Sequence, residues 1–464
     1  YVAGAEHLRS VPPIFIRAFV SGLRNAAGQG KQFDWAPVLD LFAFVAQQQE
    51  ERRKVTGEFP EEDPGLGWTR KAIADFVADA LGHEERSPPY SMRAQVWSVL
   101  RPLTEDPDPT REHEERYGPP NMDPFTMSLN TTRGQALHGV MNYAQWRAHH
   151  EPSNPGDARA WVTRCSEVRE VLEQHLAPDR DPSLAVRSVY GQRLPTLAWL
   201  DIEWVEAHLH EVFPAGTAHQ ELRRAAWDAF LVFCNPQSAL LPLVRGEYEH
   251  AVASLASRAV LKHGRDPLER LAEHLMVLYW WGDLDLAGEG LVSRFFSLAT
   301  DDIREHAMDF VGRSLAGPDA PPTDVLRRLQ LLWEVRLENA KARPEEHVEE
   351  LSGFGWWFAS GRFEPDWALR QLRAVVRLTK KIEPADKVIE RLADWVEQRP
   401  IDAVAAFQEI VDADKQGWLV SLAKDDVERL LRAGLARGES REAAVDALHR
   451  LGAKGHSEFR KLLP

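Results

Sequence analysis

Hydrophobic residues recur at three- and four-residue spacing along most of the chain, which is the period of a helix. No stretch keeps the strict alternation of a strand. In residues 11–27, Phe15, Ile16, Phe19, Val20 and Leu23 hold this spacing until Ala27-Gly28-Gln29-Gly30 interrupts it. Asp34 then stands at an N-cap position ahead of Leu39, Leu41, Phe42 and Val45. The pattern predicts further helices over 69–81, 91–103, 132–150, 157–176, 184–191, 197–212 and 219–233.

Beyond Asn235-Pro236, prolines punctuate the pattern. Pro267, Pro322, Pro344, Pro365, Pro384 and Pro400 each stand at or near a predicted helix start. Proline is tolerated there because first-turn amides have no helical partner. From Pro344 onward the starts lie about 16 to 21 residues apart, one helix and a short turn. Two such helices make a unit of about 40 residues, the pitch of HEAT-like or armadillo-like hairpins. Successive units do not match in sequence, so the predicted fold is an all-α superhelical array of antiparallel helix pairs with degenerate repeats. The adjacent pairs Trp280-Trp281 and Trp356-Trp357 suit such stacking, one ring entering its own hairpin and the other the neighbouring unit.

Residues 105–127 carry prolines and a dense charge run with little to bury, which marks a linker or surface loop. The expected organisation is a helical subdomain over 1–104, this linker, and an α-solenoid over 128–464.

The stretch 128–150 stands apart. Thr132 and Gln135 have the spacing of a capping box. Leu137, Val140, Met141, Ala144 and Ala148 form one helical face, and Gln135, His138, Asn142, Gln145 and His149 form the opposite one with Trp146 beside it. Residues 134–146 contain no charge, so both faces are expected to be covered. The polar stripe has three readings: its members pair with adjacent helices, they bind metal, or they form a binding surface. His138 and His149 are three turns apart and cannot share one ion. As a binding surface, Gln135, His138, Asn142 and Gln145 would orient a protein ligand anchored on Trp146.

At 464 residues the chain exceeds one compact core. Its 71 acidic against 56 basic side chains give a formal charge of −15, which argues against a nucleic-acid partner. Cys165 and Cys234 lie in apolar helical patterns and are expected as free core thiols of a cytoplasmic protein. No apolar run approaches the roughly 18 residues that span a bilayer, so no membrane partner is expected. No P-loop, H-E-x-x-H or G-x-S-x-G pattern occurs, and no cofactor or metal is expected in this segment. The first residue, Tyr1, suggests a piece of a longer polypeptide.

Two resemblances follow from particular residues. Arg133-Gly-Gln-Ala-Leu-His138 resembles the R-x4–6-H motif of the HEPN family of all-helical ribonucleases. That likeness implies Arg133 and His138 as phosphate- and ribose-handling residues, although Gly134 stands where the family usually has a polar residue. The stretches 128–146, 274–286, 353–369 and 450–463 resemble the helical-repeat tails of large bacterial antiviral proteins of STAND type. That likeness implies a non-enzymatic sensor of a foreign protein, continuous with an upstream NTPase or effector. A plain protein-protein scaffold is the remaining expectation.

Overall fold

The computed structural model describes residues 2–48, 66–119, 121–151, 160–255, 266–414 and 423–463. The charged run 49–54, most of the loop 57–67, an R-x4–6-H spacing at 258–263, the start of an S-x-x-K pattern at 421 and the first residues of the predicted helix 157–176 lie outside the described residues. Among those described, the chain is all-α, with 24 α-helices and no strand. It divides into two compact units at Asn235/Pro236.

The first unit begins with α1 (Pro13–Gly28), α2 (Trp35–Ala46), α3 (Gly67–Leu81) and α4 (Arg93–Thr104). Then come α5 (Arg111–Tyr117), α6 (Pro124–Asn130), α7 (Thr132–His150) and α8 (Trp161–Arg164). The last four are α9 (Ser166–Leu176), α10 (Leu184–Leu200), α11 (Ile202–Val212) and α12 (Gln220–Phe233). Two of these are central: α7 packs on α3, α4, α6 and α10, and α10 packs on α6, α7, α11 and α12. Both faces of α7 are covered, as its lack of charge predicts: Leu137, Val140 and Met141 are buried on one side and His138 on the other.

The starts of these two helices correct the sequence reading. The capping box does not form: Thr131 is the N-cap of α7, and Gln135 Nε2 donates to Leu129 O at 3.1 Å. The cap comes from a distance, since Asp108 Oδ2 accepts the Thr132 amide at 2.8 Å. Glu114 does the same for α10, accepting the Ala185 amide at 2.9 Å and the Ser183 hydroxyl at 2.7 Å. Segment 105–127 therefore lies inside the first unit, its carboxylates satisfying first-turn amides that would otherwise lack partners.

Helix α10 also differs from the sequence pattern, running unbroken through Pro195 to Leu200. Proline there removes the amide that would bond Gly191 O. Gly191 sits against α12, where a Cβ would come within 1.8 Å of Ala226 O, and its carbonyl accepts from Cys234 Sγ at 3.9 Å. The break falls instead at Asp201, whose side chain caps α11 through Trp204 N at 2.9 Å. Asp34 caps α2 as the sequence predicts, accepting from Ala36 N at 3.0 Å.

The second unit begins with α13 (Leu241–Ala253), α14 (Pro267–Trp281), α15 (Leu291–Leu298) and α16 (Asp301–Leu315). Next are α17 (Thr323–Ala340), α18 (Val348–Ser352), α19 (Phe354–Ser360) and α20 (Pro365–Thr379). It ends with α21 (Ala385–Trp395), α22 (Pro400–Ala413), α23 (Lys424–Ala436) and α24 (Gly438–Ala453). Its later helices stack in two series: α14, α16, α19, α21 and α23 follow one another in contact, and so do α20, α22 and α24. This is the packing of a helical array, each helix burying a face on the next of its series. The prolines mark these starts, except that Pro344 opens only a 3₁₀ turn (Pro344–Glu346).

The tryptophan pairs behave differently from each other. Trp357 is fully buried and donates its Nε1–H to Met308 O at 2.8 Å, while Trp356 carries the Arg313 guanidinium 4.8 Å above its ring. Trp281 is 52% exposed, so that pair does not serve stacking on both sides. The core of this unit also holds Glu350, fully buried between Arg304 (2.7 Å), Arg336 (2.5 Å) and His347 (2.8 Å).

Candidate functional site: a polar cleft against α7

Three members of the polar stripe open onto one cleft of about 430 Å³. Gln135, His138 and Asn142 of α7 supply one wall, Lys71, Asp75 and Asp79 of α3 another, and Gln192 and Arg193 of α10 a third. Arg24 of α1, Phe125 and Leu129 of α6, and Ala78, Gly82 and His83 at the C-terminal end of α3 complete the lining. The other two predicted site residues lie elsewhere. Trp146 is buried among Tyr90, Tyr143 and His150, with ring centroids 5.4 to 5.8 Å apart. Gln145, half-buried, is not part of the cleft.

Local folding fixes each of the three. Asn142 donates to Ala78 O of α3 at 2.8 Å, which holds α7 against α3 and leaves its amide oxygen free. Gly134 lets α6 approach, since a Cβ there would meet Ser128 O at 2.3 Å. That approach places Ser128 Oγ 3.0 Å from His138 Nε2. The serine's single proton goes to Phe125 O at 2.7 Å, so the histidine donates and its Nδ1 is a bare acceptor. Burial, and then the nearby Arg193 charge, lower the His138 pKa to about 3. The ring is neutral at physiological pH.

The cleft carries polar groups that the fold itself does not satisfy. Arg193 has no hydrogen bond or ion pair among the described residues, and its Nε is buried. Gln192 Oε1 and Asp75 Oδ1 are likewise buried without partners. Asp75 Oδ2 accepts from Lys71 Nζ at 2.6 Å, but burial outweighs that bond and raises its pKa. Each unmatched buried group costs about 1–3 kcal/mol. Such a concentration in one cavity is a cost to folding and an opening for a ligand.

Arg133 and His138 do not share a site. Arg133 donates to Asp106 O at 2.6 Å and Pro109 O at 3.0 Å and pairs with Asp181 at 3.0 Å, bracing segment 105–127. His138 faces Phe125, Ser128 and the cleft. Among the described residues, no group of three or more His, Cys, Asp or Glu could hold a metal ion. None of the described helices is long and apolar enough to cross a membrane.

The residues that sequence reasoning missed are Arg193, Gln192 and Asp75. Their signal was faint: Gln192-Arg193 is a polar step inside an apolar helix pattern, and Asp75 sits one turn after Lys71.

Comparison with known proteins adds no family. No protein-family model matches the chain, and no curated protein matches it. A crystal structure of an engineered protein aligns with 91% of this chain and 90% of its own, at 13% identity. Its TM-score of 0.32 is too low to carry an argument.

Proposed function

We propose that this chain is a non-enzymatic recognition module and that the cleft against α7 is where it holds its ligand. The observation that carries the reading is Arg193, a guanidinium without a partner among the described residues, in a cavity that also presents the bare acceptors Gln192 Oε1 and His138 Nδ1. A side chain in that state costs stability unless a ligand completes it. The ligand is a protein, and the chain acts as the sensor portion of a larger bacterial protein of the antiviral STAND type, continuous with an upstream NTPase or effector. Binding would favour one conformation of the whole polypeptide through contacts present in only that state. Cys165 and Cys234, buried and held as thiols, support a cytoplasmic setting. Two features weigh against the HEPN alternative: Arg133 is spent on structural partners, and His138 is too weak a base to take a ribose proton near neutrality.

The test uses Gly82→Trp. Gly82 lines the cleft with an ordinary helical backbone, and its Cβ would lie 3.3 Å from Asn142 Nδ2, so an indole there fills the cavity once that side-chain amide gives by a few tenths of an ångström. Purified phage proteins are screened for binding to the wild-type chain and to this variant. A phage protein that binds the first and not the second supports the sensor reading. Binding indifferent to the variant, or binding confined to host proteins, overturns it.

A further inference from the structure

We infer that the element seated in the cleft is an acidic residue of a peptide segment, its carboxylate on Arg193, with an apolar residue beside it. This rests on the reading of the cleft as a recognition site, and three independent features of the lining narrow the occupant.

The first is charge. Arg193 offers up to five N–H donors and none is engaged among the described residues. A guanidinium of this kind is completed by a planar, bidentate anion. Asp75 and Asp79 line the same cleft; of its other cations, Lys71 is paired with Asp75 and Arg24 is exposed. A phosphate dianion would meet those carboxylates with Arg193 as the one half-buried cation not already paired. A carboxylate, with a single negative charge, fits the balance.

The second feature is the set of bare acceptors. Gln192 Oε1, Asp75 Oδ1 and His138 Nδ1 each lack a donor. His138 cannot supply one by protonating, because burial and then Arg193 hold its pKa near 3. The occupant must therefore bring N–H groups close to its anion. A peptide does so by construction, with a backbone amide at the acidic residue and another at the next. A simple inorganic anion has none.

The third is the mouth. Leu129, 37% exposed, and Phe125 lie at the α6 side of the cleft, and Phe125 packs at 3.8 Å from Phe233, which is 45% exposed. Exposed aromatic and aliphatic surface at the rim of a polar cavity suits an apolar side chain adjacent to the buried polar one.

The probe is a peptide enriched from a random display library on the wild-type chain. Its affinity is then measured against wild type, Gly82→Trp, Arg193→Met and Arg193→Lys, and repeated with the peptide's acidic residue changed to its amide. Enriched peptides are expected to share an Asp or Glu beside an apolar residue. Arg193→Met should weaken them by roughly 30-fold or more, and Arg193→Lys by less. The amide peptide should lose a similar factor on wild type and almost nothing further on Arg193→Met. Thermal denaturation separates binding from a structural role. Removing an unpaired buried charge should leave the melting temperature of free Arg193→Met unchanged or raise it, whereas a bracing arginine would lower it.

Peptides that lack an acidic residue, or that bind Arg193→Met as tightly as wild type, overturn the carboxylate inference. The cleft reading survives that result if Gly82→Trp still abolishes binding. Peptides indifferent to Gly82→Trp overturn both, as does a library that yields none.

Discussion

Asp108 Oδ2 accepts the backbone N–H of Thr132 at 2.8 Å, across 24 residues of chain. A proline-rich acidic segment thereby caps one of the two central helices of its unit, and Glu114 of the same segment caps the other, α10. Asp108→Ala should lower the stability of the first unit by about 1 kcal/mol, the usual worth of an N-cap. Asp108→Asn, which keeps an acceptor, should cost less. Thermal melts of the two variants check this; equal stability of Asp108→Ala and wild type would mean that water replaces the cap.

Close backbone packing sets a second expectation. Gly191→Ala puts a Cβ within 1.8 Å of Ala226 O, a backbone atom that moves only if α12 moves. Overpacking of this kind costs typically 1–3 kcal/mol, and here the upper end is expected. Gly134→Ala meets Ser128 O at 2.3 Å, and should also release His138 from Ser128. A histidine pKa nearer the ordinary value, followed by NMR, would report that release.

His138 makes stability depend on pH in a known direction. Burial, then the Arg193 charge, lower its pKa from 6.5 to about 3 in the folded chain. The unfolded chain therefore takes up a proton below about pH 6.5 that the folded chain refuses. The contribution is full above that value and falls as the pH drops, by up to about 1.4 kcal/mol per unit. His138→Gln keeps a donor for Ser128 and cannot titrate. Its denaturation midpoint should fall less than that of wild type between pH 6.5 and 5; parallel curves would contradict the assignment.

Glu350 gives the acid-side counterpart in the second unit. Burial alone would raise its pKa, but hydrogen bonds from His347 and Arg336 and the charges of Arg336 and Arg304 bring it down to about 2. Its stabilisation is present above pH 4.5 and is lost as the pH falls from there toward 2. Glu350→Gln should cost about 3 kcal/mol at neutral pH, because two buried guanidinium groups lose their counterion. The gap between variant and wild type should narrow at pH 3. A gap independent of pH would show that the arginines, not the charge of Glu350, carry the effect.

Arg133 separates a brace from a catalyst. Arg133→Ala strips the buried Asp181 of one partner and frees the 106–109 backbone, and should destabilise the unit by about 3 kcal/mol. RNA incubated with wild type and with the variant should be equally intact. Cleavage by wild type that Arg133→Ala abolishes while the fold persists would restore the HEPN reading.

How much of this was legible depended on whether the interaction was local. Asp34 could be placed as a cap because its partner is two residues away. The cap on Thr132 could not, because Asp108 sits in a stretch whose composition reads as solvent-exposed. The stripe Gln135, His138 and Asn142 was visible because uncharged polar residues on a helix covered on both sides must find partners or face a cavity. Trp146 stood beside that stripe in sequence but turns into an aromatic cluster with Tyr90 and Tyr143, which no spacing rule ties to it. Arg193 was hidden for the opposite reason: one arginine in a helix normally marks the solvated face, and only α6 and α7 packing on α10 encloses it.

The most direct measurement is a crystal structure of the full chain with an enriched peptide bound. The account predicts a carboxylate in the cleft about 2.8 Å from the Arg193 guanidinium, with a peptide N–H on Gln192 Oε1 or His138 Nδ1. A peptide seated on another face, with Arg193 still unpaired, would contradict it.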